Sequence, residues 1–278
     1  MQRFYLVFIV IGLFFSCKQP KSNYPEYYRQ YNKVLRLEDA GNTELAFEKF
    51  REAEKLVEFV PVQHLLTARS LALSLDNCEL VLEYFQKAVN NGYEYDFSDF
   101  SPSSCPEINN QSVKFIRFDY DYQRQVDSLY AIDQGSRNSN NDIQSKDKTN
   151  IETLLSLIEQ KGYPSSKLVG DQTSGKAFII LLHFDSDLGN KRLKPILEDA
   201  YHQGYLNPGQ YAWIIDRRKN WGPEKLDPYF YQLPTEKYFE LSEYEISIID
   251  KRRDSIGLKP LSEMNIHKNE NGRISIQF

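Results

Sequence analysis

The stretch Asn42-Thr43-Glu44-Leu45-Ala46-Phe47-Glu48 comes back 35 residues later as Asn77-Cys78-Glu79-Leu80-Val81-Leu82-Glu83, and the same offset lays Phe85 on Phe50 and Ala88 on Ala53. A chain that repeats at this interval is confined to stacked copies of one small unit, because a single copy cannot bury its own apolar face. The unit is helical. Asn42 or Thr43 caps a helix whose apolar positions, Leu45, Ala46, Phe47, Phe50, Ala53, Leu56 and Val57, recur at helical steps, and Pro61 follows its end. Before it, Tyr27, Tyr31, Val34, Leu35 and Leu37 mark a helix that starts near Pro25 and stops at Gly41.

Paired helices at this offset, with small residues at the crossing and a Pro at the repeat end, resemble the tetratricopeptide repeat over residues 25–92. The resemblance implies two helical hairpins and a groove for a protein partner; a helical scaffold that props the rest of the chain is the other reading. Two repeats are fewer than such arrays need, so a neighbouring element has to cover the open face.

Residues 1–17 read as an export signal. Arg3 precedes an almost purely apolar Phe4–Phe15, which is too short to span a bilayer as a stable helix. Phe15-Ser16-Cys17 resembles the lipobox of bacterial lipoproteins in a relaxed form. That resemblance implies that Cys17 becomes a lipidated N-terminus anchoring the protein to the membrane; the alternative is an ordinary secretory signal with an incidental Cys. Residues 18–24 would then be a tether. Lys18-Gln19-Pro20-Lys21 carries no acidic run, so the expectation is a lipid-anchored envelope protein facing the periplasm. In that oxidising compartment Cys78 and Cys105 have two readings, a disulfide or two separate thiols.

A formal net charge of -5 argues against a nucleic-acid partner. The basic runs Lys191-Arg192, Arg217-Arg218-Lys219 and Lys251-Arg252-Arg253 read as solvated or salt-bridged helix faces. Residues 93–118 change character: Tyr93, Tyr95, Phe97 and Phe100 alternate with acids before Ser101-Pro102-Ser103-Ser104-Cys105-Pro106 breaks any regular element. This is a connecting loop packed through its aromatics, or else a binding surface.

Residues 119–262 return to helical spacing, and the whole chain is expected to be mainly α. A helix runs over Tyr120–Asp133, with Gly135 ending or bending it, and Asn138–Lys148 is polar enough for a mobile loop. Asn150 is placed as an N-cap, with Leu154, Leu155, Leu157 and Ile158 on the buried face of its helix. Gly162 takes the position after that helix and Pro164 prevents its continuation. Gly170 to Gly175 reads as a second turn, before a buried helix over Phe178–His183. Further helices are expected over Leu193–Gln203, from Asn207-Pro208 onward and over Tyr244–Ser255. In the tail, residues 263–278, Asn271-Gly272 precedes an alternation of Ile274, Ile276 and Phe278 that suits a small β-hairpin.

Asp133-Gln134 with Arg137, Gly162-Tyr163-Pro164, Leu168-Val169-Gly170, His183-Phe184-Asp185, Tyr211-Ala212 with Asp216-Arg217, and Ile249-Asp250-Lys251-Arg252-Arg253 occur in this order. Together they resemble a bacterial family known only as a domain of unknown function, which implies a mostly helical domain without an agreed activity. Asp133, Gln134, Arg137, His183, Asp216 and Arg217 are the candidate site: a base, two guanidinium clamps for an anion and carboxylates to orient them. They would serve ligand binding or a hydrolase-like reaction; the alternative is that the Asp/Arg pairs tie helices together. Neither metal nor cofactor is expected. His183, Asp185 and Asp187 lack zinc spacing, and GDQTSGK, Gly170 to Lys176, lacks the opening and the Ser/Thr of a phosphate loop.

Overall fold

A computed structural model describes residues 22–94, 105–106, 108, 113–137, 143–183, 189–217, 229, 231, 236–268 and 274–277. The signal with Cys17, the aromatic loop residues Tyr95, Phe97 and Phe100, the Asp185 and Asp187 pair, and the Asn271-Gly272 turn lie outside them. The chain is mainly α-helical. Among the described residues no helix is long and apolar enough to cross a membrane.

Four helices come first: α1 (Tyr24–Asp39), α2 (Thr43–Ala53), α3 (Val62–Ser74) and α4 (Cys78–Asn90). α1 packs most extensively on α2, and α3 on α4. Asn77 caps α4 by accepting the Leu80 N–H at 3.1 Å, and Asn23 does the same for α1 with Glu26 at 3.3 Å. Ala46, Ala53, Ala68, Ala72 and Ala88 are fully buried, and a methyl at such positions lets helix axes approach closely. Cys78, the first residue of α4, is disulfide-bonded to Cys105, whose Cα is 5.5 Å away.

The second group comprises α5 (Tyr120–Arg137), α6 (Ile143–Lys161), α7 (Ser166–Val169), α8 (Asp171–Leu182), α9 (Gly189–His202), α10 (Pro208–Arg217) and α11 (Glu243–Ser255). Two short strands, β1 (Asn265–Lys268) and β2 (Ile274–Gln277), pair antiparallel with Ile266 opposite Ile276. One apolar core extends without a break from Tyr24 and the α1–α4 helices through α5–α10 to Ile256. Leu261 and Ile249 centre a second, smaller cluster beneath α11.

Three local expectations need correction. Asn150 is not a cap: α6 begins at Ile143, and Asn150 lies two turns inside it, 3% exposed, donating from Nδ2 to the Leu129 carbonyl of α5. Hence Ile143–Lys148, read as loop, is helical; Gln and Lys have good helix propensity, and Asn150 further along ties the same helix to α5. Gly170 to Gly175 is not a turn either. Gly170, at φ +84°, is the N-cap of α8, and Gly175 lies inside that helix. The orphan N–H of Gln172 at its start is satisfied by the Glu94 carboxylate at 3.0 Å, while Asp171 accepts from the Glu94 N–H at 3.0 Å. The cap is thus delivered from far along the chain, where no local signal reveals it. Gly135, similarly, neither ends nor breaks α5, which continues to Arg137.

This joint between the two helical groups is held by backbone as well. The Gly92 carbonyl accepts the Asp171 N–H at 2.9 Å, and the Ser166 hydroxyl donates to the Asn91 carbonyl at 2.7 Å. The Tyr24 hydroxyl donates toward the Phe59 and Gln203 carbonyls, at 3.0 and 2.9 Å, joining α1 to the end of α9.

Candidate functional site

The last turns of α5 and α8 bring three of the candidate residues together. His183 caps α8, and its Nδ1 lies 2.9 Å from Oδ2 and 3.1 Å from Oδ1 of Asp133, which is 1% exposed. Gln134 donates from Nε2 to Asp133 Oδ2 at 2.7 Å. A proton on Nδ1 is donated to the carboxylate, and Nε2 is the ring nitrogen not committed to Asp133. That is the orientation of a general base, and equally of a buried tie between two helix ends. Arg137 stands one turn beyond Asp133 in α5, its side chain outside the described set. Gly162 and Pro164 shape the exit of α6, where the Gly162 carbonyl accepts the Tyr122 hydroxyl at 3.0 Å.

Asp216, at the end of α10, belongs to another polar knot. Its carboxylate accepts the backbone N–H groups of Tyr229 and Tyr231 at 2.8 and 2.6 Å. Beside it lies Arg253, 2% exposed, which donates from Nε to the Lys259 carbonyl at 2.7 Å and from Nη1 to the Tyr229 carbonyl at 2.9 Å. The attraction of Asp216 partly offsets a desolvation that pushes the Arg253 guanidinium below its ordinary value. Of the two readings of Lys251-Arg252-Arg253, a solvated or a salt-bridged face, the solvated one therefore fails at Arg253, which is buried beside Asp216 with carbonyl partners that make its burial tolerable. Arg217, next to Asp216, is exposed.

Arg253 also forms part of a cavity of about 420 Å³, between α1 and α3 on one side and the chain from Asn207 to Met264 on the other. Tyr28, Tyr31 and His64 form one wall; Tyr231, Arg253 and Met264 belong to the other. His64 stacks on Tyr31 with ring centroids 3.5 Å apart and planes 11° apart. Its Nδ1 is 2.7 Å from the Tyr27 hydroxyl. Burial holds Tyr27 well above the usual phenol range and pushes His64 down to about 3, so the phenol donates and His64 is neutral. The imidazole proton is then on Nε2, which has no hydrogen-bond partner among the described residues. Tyr28 is 6% exposed, and its buried hydroxyl likewise has no partner among the described residues.

Of these cavity residues the sequence marked Tyr31 only as part of a helical pattern and Arg253 only in a basic run and a family motif, and none as part of a site. The visible signal was the run of tyrosines on one face of the first helix, which reads equally well as core. Among the described residues no three His, Cys, Asp or Glu side chains gather as they would around a metal.

The chain matches no family model, no curated protein and no solved structure with which it was compared.

The burial of neutral His64 has a measurable consequence. Unfolded, the imidazole has its ordinary value near 6.5; folded, it is at about 3. Between those values the unfolded chain holds a proton that the folded chain lacks, so stability is complete above pH 6.5 and declines as pH falls toward 3. The His64 contribution to this decline approaches about 1.4 kcal/mol per pH unit within the window. Urea midpoints measured from pH 7 to pH 4 should fall more steeply in the wild type than in His64→Phe; parallel curves would refute the assignment.

Proposed function

We propose that this protein is a lipid-anchored binding protein of the bacterial cell envelope, with α1–α4 as two tetratricopeptide-like hairpins, that takes a small molecule between those hairpins and its C-terminal helices. The cavity is the observation that carries this reading. It falls in the size range of small-molecule sites and combines an aromatic wall with polar and charged side chains at its edge, Asn32, Arg36 and Lys259 among them. Filling it also gives the open face of a two-repeat array a purpose beyond support. The Cys78–Cys105 disulfide fits an oxidising compartment, and the lipobox-like Phe15-Ser16-Cys17 fits anchorage there. A protein partner on the outer face of the repeats is compatible with this arrangement.

Screening a library of small molecules of mixed charge by thermal shift tests the proposal, with Asn32→Trp as the control because Asn32 lines the cavity. Compounds that raise the wild-type midpoint and fail to raise that of Asn32→Trp are expected; a library without such compounds would overturn the reading. The anchor is tested separately. Cys17→Ser should move the protein from the membrane to the soluble envelope fraction, and continued membrane attachment would refute lipidation.

A second reading, a hydrolase-like site at His183, rests on the Asp133 contact that orients the imidazole. The binding reading is preferred because the described surroundings of His183 supply a base without an assigned nucleophile or oxyanion donors.

A further inference from the structure

Residues 93–118 read as a packed loop or as a binding surface, and their described ends line a recess of about 390 Å³ that shares no residue with the cavity beside α1. We infer that this recess binds a small organic cation carrying an alkylated ammonium group, held by an aromatic wall and by the carboxylate of Glu94. Neither site depends on the other.

The wall is aromatic and partly open to solvent. Tyr93, Phe115, Phe118 and Tyr120 line it, with Phe118 and Tyr120 meeting edge to face at 6.3 Å between ring centroids. Phe115 is 67% exposed and Tyr120 54%, so rings that a core would take up stand instead around a ligand-sized space. The negative face of such a ring attracts a cation, and alkyl groups on the nitrogen add apolar burial against it.

The charge in the wall is negative. Glu94 supplies it, and among the described lining residues there is no Lys, Arg or His. Its Oε2 accepts the Gln172 N–H at 3.0 Å and its Oε1 accepts from Gln123 Nε2 at 2.9 Å, both neutral donors. Lys161 and Lys176, on neighbouring helices, are committed to Asp119 at 2.8 Å and Asp127 at 2.9 Å. Burial, and then the neighbouring Asp171, raise the Glu94 pKa above its ordinary value, as befits a carboxylate short of counter-charge. The group is also fixed in place, because it sits over Gly170, where a Cβ would lie 2.3 Å from its Cδ. A carboxylate has lone pairs beyond the two in use, so it can still face a ligand. An alkylated head suits this wall better than a primary ammonium, whose three N–H donors would find mostly rings and a carboxylate already engaged.

Isothermal titration of the full folded chain tests this with choline, with its neutral isostere that has a tert-butyl group in place of the trimethylammonium, and with the primary amine ethanolamine. Choline is expected to bind about tenfold more tightly than either. Phe115→Ala and Tyr120→Ala remove exposed rings, so each should leave the thermal midpoint unchanged and weaken choline about threefold or more. Glu94→Gln should weaken choline about tenfold and remove most of its salt dependence, with any loss of the α8 cap read separately from the thermal midpoint. Asn32→Trp, in the other cavity, should leave choline binding unchanged. The Cys17→Ser protein, which cannot be lipidated at that residue, should not co-sediment with phosphatidylcholine vesicles, which present the same ammonium group on a lipid.

Equal affinity for choline and its isostere, preference for ethanolamine, choline binding that survives both ring variants, or no choline binding at millimolar concentration would each overturn the inference. So would co-sedimentation with vesicles without binding of free choline, which would make the ligand a headgroup. Loss of choline binding in Asn32→Trp would move the cation to the cavity beside α1 and overturn it equally.

Discussion

Arg253→Ala should lower the free energy of unfolding by about 3–5 kcal/mol, the cost of removing one partner from a buried charged network. The guanidinium is 2% exposed and holds the carbonyls of Lys259 and Tyr229, which would be left without those donors. Asp216, 4% exposed, would lose a neighbouring positive charge while still accepting the N–H groups of Tyr229 and Tyr231. Arg253→Lys should recover less than half of the loss, because an ammonium cannot reproduce the planar fork that reaches two carbonyls. Urea unfolding followed by circular dichroism measures both. A loss below about 1 kcal/mol for the alanine variant would mean that the knot is not what holds the C-terminal segment against α10.

The second large effect is expected at the joint between the two helical groups. Gly92 has φ +103°, and a Cβ there would lie 2.0 Å from the Ser166 carbonyl oxygen and 2.2 Å from its carbon. Both atoms are backbone, so the clash cannot be relieved by turning a side chain. Moving α7 away would break the hydrogen bond from Asp171 to the Gly92 carbonyl and that from Ser166 to Asn91. Gly92→Ala should therefore cost about 3 kcal/mol or more, combining the backbone penalty with overpacking. Gly41→Ala is the matched control: φ is +75°, yet nothing lies within 4 Å of the added methyl, so only the backbone penalty of about 1–2 kcal/mol applies. Equal losses in the two variants would show that the close approach at Gly92 is not rigid.

The first four helices were legible because their signals are local. Asn23 and Asn77 cap by bonds to residues three positions on, and the apolar spacing that marks α2 and α4 is carried by the same residues that fill the core. Where a distant residue supplies the decisive contact, local reading failed. Glu94 starts α8, and α6 runs back beyond Asn150, which is tied to Leu129 of α5. Asp133, Gln134 and His183 were singled out and do meet. Asp216 was chosen with them but is held by the backbone of Tyr229 and Tyr231. The cavity was out of reach altogether. Its walls are separated by well over a hundred residues of chain, and an unmatched hydroxyl such as that of Tyr28 has no signature in a sequence.

The seating of α1 also bears on when the protein becomes folded. Besides Tyr24 and its bond to Gln203, Arg29 in this helix pairs with Asp254 at 3.0 Å and reaches that residue's carbonyl at 2.9 Å. Part of the seating of α1 therefore depends on partners some two hundred residues later in the chain, and closing so long a loop is slow compared with forming a local hairpin. The hairpin that α1 makes with α2 is local, but the seating of that hairpin on the C-terminal helices is completed only when synthesis is nearly finished.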